Sequence, residues 1–590
     1  MIVHPNDIAR RARYGSIGLG VIFAVLIGAF FRAQVIDHSR YSTQSQENRL
    51  RAIPLPAPRG IVYDQKGAII AENLPGYAVS MLAPSADSLM SVMRQLSSVI
   101  PLTQGQMDAV VRRYRRDPAR PAVIIADASF DVISVLEEHR LNFPRLLIQS
   151  VPKRFYPDGP VVSSFVGYTG EITDVDLNKP QYQGYKPGQI VGKAGLEMQY
   201  EKALRGKEGV RYDEVDARGR IVPQPAARAD LMPEPSAPLY TNIDMDLQRY
   251  TAAIFGDSLQ GGAVALDPET GGVLALYSGP AYDPNRFTGG ISVDYWQQLL
   301  NDPHRPLYNK AIKGTYPPGS TFKLVTAVTG LQLGLVSLED QMPEPCRGGY
   351  QLGNRYFKCW NHQGHGAITL ARAIEVSCDT YFYQLGLKIG LSRLVAGGIS
   401  MGAGKHSGID LPEESKAIFP ANLAYFTKRY GPRGWTAGAT TLNLSIGQGE
   451  NSQTVINMAK LYTALAAGGM AATPEVVRQA PHRERIFTLT PDQMDGVIKA
   501  LAGVVASGGT AAASQIEGVM LAGKTGSAQH AGPGPDHAWF VGFAPANAPK
   551  IVVAVMLEYG GHGARAARIA SSIISHYLKV ATATAVQTEG

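Results

Sequence analysis

The 590-residue sequence has little charge, only three cysteines, and no stretch in which basic and aromatic side chains alternate. Charged residues make up 18% of the chain and hydrophobic residues 45%, a balance typical of globular domains and too apolar for a disordered protein. The net charge of +7 comes from scattered basic residues, which argues against nucleic-acid binding and suits an anionic membrane or polymer. No repeat at a fixed period is apparent, which argues against solenoids and propellers.

Only one run in the sequence is long and apolar enough to cross a membrane. Residues 14–31 form 18 uncharged positions, and Arg10, Arg11 and Arg13 precede them. A helix of that length spans roughly 27 Å, close to the thickness of a hydrocarbon core. A signal peptide would have a shorter apolar segment and a clear small-residue cleavage site. Because the arginines come first, the positive-inside rule predicts a single-pass anchor with a cytoplasmic N-terminus and the remaining chain outside.

Composition divides the rest of the chain into two large regions. The first has mixed helix and strand patterns without paired carboxylates or metal-ligand spacing, so we expect a pedestal that holds the second region away from the membrane. Five prolines between residues 218 and 238 predict a semi-rigid linker. The predicted boundaries are 1–13 for a cytoplasmic tail, 14–33 for the transmembrane helix, 34–217 for the pedestal (a dimerisation-type domain), 218–238 for the linker, 239–580 for the second region and 581–590 for a disordered tail.

The second region has strand patterns near both ends and helical patterns between them. This order predicts an α+β fold in which one five-stranded antiparallel sheet lies between helices. A hairpin at its start and three strands near its end supply the sheet. The predicted strands are 262–266, 273–277, 519–521, 539–543 and 551–557, and the predicted helices are 320–334, 369–390, 454–467, 491–505 and 564–580.

The segment Tyr-Pro-Pro-Gly-Ser-Thr-Phe-Lys at residues 316–323 carries the strongest chemical signal. Its prolines and glycine exclude helix before Ser320, and helix-tolerant residues follow, so Ser320 is expected in the first turn of a helix. Free backbone N–H groups and the positive end of the helix dipole favour a developing anion there. Lys323 lies on the same helix face and could activate the Ser320 hydroxyl. Alone, Ser-x-x-Lys more often marks an ordinary capped helix with a solvated lysine.

Two elements further along the chain change that interpretation: Ser-Cys-Asp at residues 377–379 and Lys-Thr-Gly-Ser at residues 524–527. Ser-x-x-Lys, a Ser-x-Asn-type element and Lys-Thr-Gly are typical of serine β-lactamases and penicillin-binding proteins. Lys323 can accept the Ser320 proton if burial and the charge of Lys524 lower its pKa. Ser377 can then relay a proton to the leaving amine.

The Lys-Thr-Gly element is expected to bind the substrate. Lys524 offers a positive charge to a carboxylate, and Gly526 lets a substrate backbone add to the strand. The backbone N–H groups of Ser320 and Ser527 would stabilise the oxyanion. The residues expected in catalysis are Ser320, Lys323, Ser377, Asp379 and Lys524, and those expected to bind substrate are Thr525, Gly526 and Ser527.

From its anchor almost to its C-terminus the chain resembles the class B penicillin-binding proteins, and most closely the penicillin-binding protein 2 (MrdA) family of elongation D,D-transpeptidases. Several separate segments carry this resemblance. They are RGIVYD at 59–64, GKAGLE at 192–197, YPPGS at 316–320, AIEVSCDTYF at 373–382, SIGQG at 445–449 and AWFVGFAP at 538–545.

The resemblance implies an inner-membrane peptidoglycan transpeptidase with a periplasmic catalytic domain and no cofactor for catalysis. The D-Ala-D-Ala end of a stem peptide would acylate Ser320, release D-Ala and pass to an amine on a neighbouring strand, and β-lactams would acylate the same serine. Members of this class lack a glycan polymerase and work with a RodA-type glycosyltransferase and other elongation proteins. In agreement, residues 40–240 contain no acidic polymerase motif.

Two positions depart from the pattern of the family at large. Asp379 stands where asparagine is usual, although the elongation type is similar to this sequence in carrying aspartate. An ionised carboxylate accepts hydrogen bonds but donates none, so Asp379 is expected to pair with Lys323 or Lys524. Ser527 replaces a threonine and keeps the hydroxyl.

All three cysteines cluster near one histidine, in the spacing Cys346-x12-Cys359-x5-His365-x12-Cys378. A Cys3His set suits a structural tetrahedral zinc, which would fix a glycine-rich loop against the active-site wall. The alternatives are a disulfide between Cys346 and Cys359, with Cys378 as a small buried residue, and His362 as the histidine ligand. The odd number of cysteines favours the metal.

Three other functions compete with an elongation transpeptidase. The aspartate of the Ser-Cys-Asp element and the cysteine loop argue against a division-type enzyme. The anchor, the pedestal and the lack of an evident deacylating glutamate argue against a β-lactamase. A non-catalytic scaffold or β-lactam sensor is the third alternative, but the 13 residues before the anchor leave no room for a cytoplasmic effector.

Overall fold

The structure is a computed structural model that describes residues 5–39, 41, 50–118, 120–214, 229–530 and 532–580. The first four residues of the predicted tail, residues 218–228 of the predicted linker and the predicted tail at 581–590 lie outside the described residues.

The N-terminal helix α1 (Pro5–Phe31) continues as a π-helical turn at Arg32–Ile36. Within the span Ala9–Ile36, an apolar stretch of 18 residues has a mean hydropathy of 2.2, and none of that stretch is buried against the rest of the described chain. A helix of this length and composition is consistent with a membrane anchor.

The pedestal is built around the long strand β3, whose residues 72–81 pair antiparallel with the whole of β5. Helices pack on one side of this sheet and form a separate apolar core. The strands are β1 (Leu50–Leu55), β2 (Val62–Tyr63), β3 (Ile69–Met81), β4 (Ala122–Ile125), β5 (Leu146–Phe155), β6 (Thr169–Glu171), β7 (Ile190–Gly192) and β8 (Gly209–Glu214), and the helices are α2 (Ala86–Leu96), α3 (Gln104–Arg116), α4 (Phe130–Glu138), α5 (Ser163–Val166), α6 (Asp174–Leu177), α7 (Gly195–Gln199) and α8 (Glu201–Leu204).

Two short pairings join the start of the pedestal to the chain that leaves it. Strand β1 pairs antiparallel with β8, and β2 pairs parallel with β9 (Leu239–Tyr240), the first strand after the pedestal. The side chain of Asn285 adds a second junction, because it bonds both the backbone N–H and the carbonyl of Tyr156. The pedestal and the catalytic domain are therefore joined by backbone pairing as well as by the chain itself.

A buried ion network holds the base of the pedestal. Arg59 Nη2 lies 2.7 Å from Glu197 Oε2 and 2.9 Å from Glu201 Oε2, and Arg154 Nε donates to Glu197 Oε1 at 2.6 Å. Burial acts to raise the pKa of Glu197, but Arg154 and Arg59 outweigh it and hold that pKa below its ordinary value. The network joins the RGIVYD and GKAGLE segments in space, since Arg59 belongs to the first and Glu197 to the second.

The catalytic domain contains the expected five-stranded antiparallel sheet, in the order β11-β10-β18-β17-β16. Strands β17 and β18 are buried along their whole length because helices cover both faces of the sheet. The strands are β10 (Gly261–Leu266), β11 (Val273–Gly279), β12 (Gly349–Leu352), β13 (Arg355–Lys358), β14 (Met470–Ala472), β15 (Arg483–Arg485), β16 (Ala522–Ala528), β17 (His537–Ala544) and β18 (Ile551–Leu557), and the helices are α9 (Met245–Phe255), α10 (Val293–Asn301), α11 (Lys323–Gln332), α12 (Leu370–Glu375), α13 (Asp379–Ile389), α14 (Leu391–Ser400), α15 (Ala424–Tyr430), α16 (Ala437–Ser445), α17 (Val455–Ala466), α18 (Pro491–Val505) and α19 (Gly563–Leu578).

Two of the predicted elements are wrong. The single helix expected at 369–390 is two helices, α12 and α13, because Ser377 between them adopts a left-handed conformation with φ 56°. The strand expected at 519–521 begins only at Ala522 and runs through the Lys-Thr-Gly element. Sequence patterns identify buried strands by their apolar side chains, and this strand contains mostly polar and small residues.

The ion network predicts a large stability effect at Glu197. The Glu197→Ala variant leaves Arg154 buried without its carboxylate, which is expected to lower the free energy of unfolding by about 3–5 kcal/mol. Glu234→Ala is the matched control, since Glu234 forms an exposed pair with Lys207 and should change stability by at most about 1 kcal/mol. Thermal unfolding of the full-length chain in detergent measures both, and equal midpoints for the two variants would contradict the prediction.

Candidate active site

Ser320 lies in a 3-10 turn, Gly319–Phe322, that leads directly into α11. The turn is fixed by hydrogen bonds on several sides. The Gly319 N–H donates to the Gly447 carbonyl at 3.0 Å, and the Tyr462 hydroxyl donates to the Thr321 carbonyl at 3.0 Å. Ser320 itself is only half-buried, so its side chain keeps access to solvent on a turn that these hydrogen bonds fix.

Glycines allow the turn to approach two neighbouring segments closely. A Cβ on Gly526 would lie 2.9 Å from the Pro318 carbonyl oxygen, and a Cβ on Gly319 would lie 2.8 Å from the Ser527 carbonyl oxygen. A Cβ on Gly447 would lie 2.1 Å from the Gly319 carbonyl oxygen. Any larger residue at these positions would push strand β16 or the Gly447 turn away from Ser320.

Lys323 is fully buried beside the turn, and three oxygen atoms lie within hydrogen-bond distance of its amine. It lies 2.7 Å from Asp379 Oδ1, 2.8 Å from the Ser377 carbonyl oxygen and 3.2 Å from Ser377 Oγ. The expected pairing of Asp379 with a catalytic lysine is therefore present, and the partner is Lys323. The hydroxyl of Ser377 therefore contacts the amine of Lys323, three residues after Ser320.

The left-handed conformation of Ser377 makes this arrangement. It ends α12, turns the carbonyl and the hydroxyl of one residue towards the same amine, and starts α13 at Asp379. A non-glycine residue in this region is strained, and such strain persists only where surrounding contacts hold it. The indole N–H of Trp360 supplies one such contact, at 3.1 Å from the Ser377 carbonyl oxygen.

Trp360 is a site residue that the sequence did not reveal. Its backbone N–H donates to Asp379 Oδ2 at 2.9 Å, so the two carboxylate oxygens of Asp379 bind Lys323 and the cysteine loop. A backbone contact leaves no signal in a side-chain pattern. The only clue in the sequence is the position of Trp360 directly after Cys359.

Lys524 lies on the edge strand β16, which packs against the Ser320 turn. It is fully buried, and its one hydrogen bond to the described residues goes to the Thr525 carbonyl oxygen at 3.2 Å, which leaves N–H groups for a ligand. Burial, and next the positive charge of Lys323, hold the pKa of Lys524 well below its usual value, while Asp379 acts in the opposite direction. The charged form of Lys524 is thus disfavoured in the free protein, and an anionic ligand beside the amine would favour it.

The hydroxyl groups of Thr525 and Ser527, two of the predicted substrate-binding residues on this strand, already form hydrogen bonds within the protein. Thr525 Oγ1 and Thr510 Oγ1 are 2.6 Å apart, and Ser527 Oγ accepts from the N–H of Gly563, the first residue of α19, at 3.3 Å. The structure thus gathers the Ser-x-x-Lys, Ser-Cys-Asp and Lys-Thr-Gly-Ser elements around one turn.

The predicted metal ligands also come together. One ligand atom from each of Cys346, Cys359, His365 and Cys378 lies within 4.8 Å of the others. His365 Nδ1 is 3.6 Å from the Sγ atoms of both Cys346 and Cys359. All three cysteines are free thiols, so the alternative disulfide is not formed, and His362 does not belong to the cluster.

Comparison with known proteins assigns this fold and site to a family. The penicillin-binding protein transpeptidase domain matches residues 261–575, and the penicillin-binding protein dimerisation domain matches residues 54–232. The peptidoglycan D,D-transpeptidase MrdA of Acinetobacter baumannii is 32% identical over 98% of this chain and 89% of that protein. The chain therefore belongs to the penicillin-binding proteins with a transpeptidase domain and, among them, to the MrdA family. The resemblance inferred from the sequence and the α+β fold class are both confirmed.

Two solved structures have the same architecture. The complex between penicillin-binding protein 2 and MreC from Helicobacter pylori matches with a TM-score of 0.79 at 26% identity, over 90% of this chain and 99% of that chain. A peptidoglycan synthase complex described as coordinating polymerization and crosslinking matches with a TM-score of 0.69 at 28% identity, over 98% of this chain and 100% of that chain.

The lowered pKa of Lys524 predicts a pH dependence. Lys524 is a cation below its pKa, so it loses its charge as the pH rises through a value well below the ordinary 10.5. If this cation binds the penicillin carboxylate, the rate constant of acylation falls at that pH. Lys524→Arg keeps its charge and should move the fall to higher pH, whereas Lys416→Arg at an exposed position should not. Labelled-penicillin rates from neutral to alkaline pH test this, and identical profiles for wild type and Lys524→Arg would contradict it.

Proposed function

We propose that this chain is a membrane-anchored D,D-transpeptidase that crosslinks peptidoglycan stem peptides during cell elongation through an acyl-enzyme on Ser320. One observation carries the proposal. The Ser320 turn is packed between a buried lysine that contacts Ser377 and Asp379 and an edge strand that presents Lys524. This combination provides a nucleophile, a proton acceptor and a carboxylate-binding cation in one cleft.

Acylation begins when Ser320 Oγ attacks the carbonyl carbon of the penultimate D-Ala. The hydroxyl proton passes to the neutral amine of Lys323, and a C–O bond forms as the carbonyl becomes an oxyanion. The backbone N–H groups of Ser320 and Ser527 stabilise that oxyanion. Lys323 contacts Ser377 Oγ, so Ser377 can pass the proton to the amine of the terminal D-Ala, and the C–N bond breaks.

The second half of the reaction repeats these steps in reverse. An amine on a neighbouring stem peptide attacks the Ser320 ester, loses a proton through Ser377 and Lys323, and Ser320 Oγ leaves with that proton. A peptide bond between two strands results, with Ser320 and Lys323 restored to their starting state.

The donor peptide binds along β16. This strand is the edge of the sheet, so its outer backbone groups can pair with an extended peptide that ends near Lys524. The lysine binds the terminal carboxylate of the donor, and the same contacts explain acylation by β-lactams, which carry an amide carbonyl and a carboxylate at similar spacing. Thr525 and Ser527 line this path.

The remaining regions place the catalytic domain. The apolar helix α1 anchors the chain in the inner membrane with its N-terminus in the cytoplasm, and residues 34–217 hold the catalytic domain in the periplasm. The solved relatives named above include a complex with MreC and a synthase complex, which supports elongation proteins and a RodA-type glycosyltransferase as partners of this chain. Their likeness supports the elongation-type rather than the division-type assignment.

The nucleophile assignment is tested with Ser320→Ala. Without the hydroxyl no ester can form, so intact-mass measurement after penicillin treatment should show no adduct on Ser320→Ala and a stable adduct on the wild type. Ser572→Ala, at a partly exposed position on α19, is the control and should label like the wild type. Rapid loss of the wild-type adduct would instead indicate a β-lactamase, and normal crosslinking in cells that carry Ser320→Ala would indicate a scaffold.

The cysteine cluster is proposed to hold a structural zinc. Zinc bonds of about 2.3 Å to sulfur and about 2.0 Å to nitrogen place tetrahedral ligands roughly 3.6 Å apart. His365 Nδ1 has this separation from two of the sulfurs. With four protein ligands, no coordination position is left for a water, so the ion would stabilise the loop and would take no part in the reaction. Its effect on catalysis would pass through Trp360, which follows Cys359 and binds Asp379.

Metal analysis tests the zinc site. The wild type is expected to carry a single zinc per chain, Cys359→Ser to lose it, and His362→Ala to keep it, because His362 lies outside the cluster. Loss of zinc should lower the melting temperature and slow acylation about tenfold, corresponding to about 1.4 kcal/mol of lost positioning. Unchanged melting temperature and acylation after complete chelation would contradict a structural zinc.

A further inference from the structure

We propose that a cationic groove beside the Ser320 turn binds the acidic stem peptide of the acceptor strand, the one whose amine attacks the acyl-enzyme. The inference rests on the transpeptidation proposed above and names the second substrate's binding site. The groove has a volume of about 350 Å³ and is lined by Arg355, Tyr430, Arg433, Trp435, Asn443 and Glu450, and we call it the acceptor groove.

The floor of the acceptor groove is one face of a helix. Thr436, Ala439, Thr440 and Asn443 line it, at the first, fourth, fifth and eighth positions from the N-cap of α16. Residues at this spacing lie above one another on a single helical face. The floor is therefore a straight, rigid surface, and a peptide bound along it would be extended parallel to α16.

The inner end of the acceptor groove lies next to the nucleophile. Gly449 lines that end and is two residues from Gly447, so their Cα atoms are at most about 7 Å apart. The Gly447 carbonyl accepts the N–H of Gly319 at 3.0 Å, and Gly319 precedes Ser320. A peptide in the groove can thus bring a long amine side chain to the Ser320 ester.

The acceptor groove and β16, the strand proposed to bind the donor, contact different atoms of the Ser320 turn. The Cα of Gly319 faces the Ser527 carbonyl of β16. The backbone N–H and carbonyl of Gly319 face Gly447, on the side of the acceptor groove. A donor that occupies β16 therefore leaves the acceptor groove open. A D,D-transpeptidase needs two peptides on one serine in succession, and this separation provides two places.

The charge of the acceptor groove selects an anionic ligand. Neither Arg355 nor Arg433 forms an ion pair with a carboxylate anywhere in the described part of the chain, and both are exposed. Residues 416–449 contain no aspartate or glutamate, and Glu450 is already bound by Arg429 and by the Tyr430 hydroxyl. Guanidinium groups bind carboxylates through paired hydrogen bonds, so two exposed arginines without carboxylate partners in the described chain suit a peptide with carboxylate groups, although Arg355 also lies over the ring of Phe357 at 4.8 Å from its centroid.

An aromatic wall completes the acceptor groove. Trp435 packs on the buried ring of Phe426 with a centroid distance of 5.2 Å, and its indole N–H donates to Thr427 Oγ1 at 3.3 Å. A ring held this way loses little freedom on binding and can pack against the methyl groups of alanine residues. A wall of this kind would also accept a neutral sugar, but a neutral sugar would not use the two arginines.

The test separates acceptor binding from acylation. The full-length chain in detergent is given a soluble thioester donor and a diamino-acid acceptor peptide with free carboxylates, and the ratio of transfer to hydrolysis is measured. Arg355→Ala/Arg433→Ala should lower this ratio about tenfold or more, the loss of one charge-assisted contact. With the same acceptor amidated at its carboxylates, variant and wild type should give equal ratios, and labelled-penicillin acylation should stay within about twofold. Lys428→Ala, exposed and outside the groove, is the control.

Three results would overturn the proposal. An unchanged ratio in the double variant shows that the arginines bind no acceptor. An equal fall with the amidated acceptor indicates that the arginines contact the peptide backbone or shape the groove, and do not recognise carboxylates. A parallel loss of penicillin acylation shows that the arginines support the active site itself. If the wild type takes no penicillin label at all, the proposed function fails first and the acceptor groove with it.

Discussion

The buried amine of Lys323 is the constraint on which the rest of the active site depends. An amine that takes up a proton away from water needs acceptors around it, because an unpaired buried cation costs several kcal/mol. The chain provides Asp379 and two oxygens of Ser377, and Ser377 offers both of them in a left-handed conformation. The break between α12 and α13, the strain at Ser377 and the aspartate at 379 thus have one cause.

The contacts around Lys323 continue to two other parts of the catalytic domain. On one side, Asp379 is bound by the backbone of Trp360, which places the cysteine cluster one residue away from the lysine's counter-charge. On the other side, the Ser320 turn approaches β16 and the Gly447 turn so closely that only glycines fit. A single line of contacts therefore runs from the cysteine loop through Asp379 and Lys323 to the edge of the sheet.

The sequence predicted most of the residues that the structure brings together around Ser320, because they sit in short motifs whose spacing is local. The five strands were recognisable where both faces are buried, as in β17 and β18, and the strand at 522–528 was misplaced because it carries Lys524 and Thr525 inside the sheet. The break at Ser377 was not predictable, since its cause is an amine 54 residues earlier in the chain. The acceptor groove was missed for the same reason, because segments far apart in sequence form it.

The pairing of β1 with β8 and of β2 with β9 has a mechanical consequence. A force applied at residue 50 reaches the catalytic domain through these paired backbones as well as along the chain. Helices α2, α3 and α4 lie in an apolar core of their own, apart from this route.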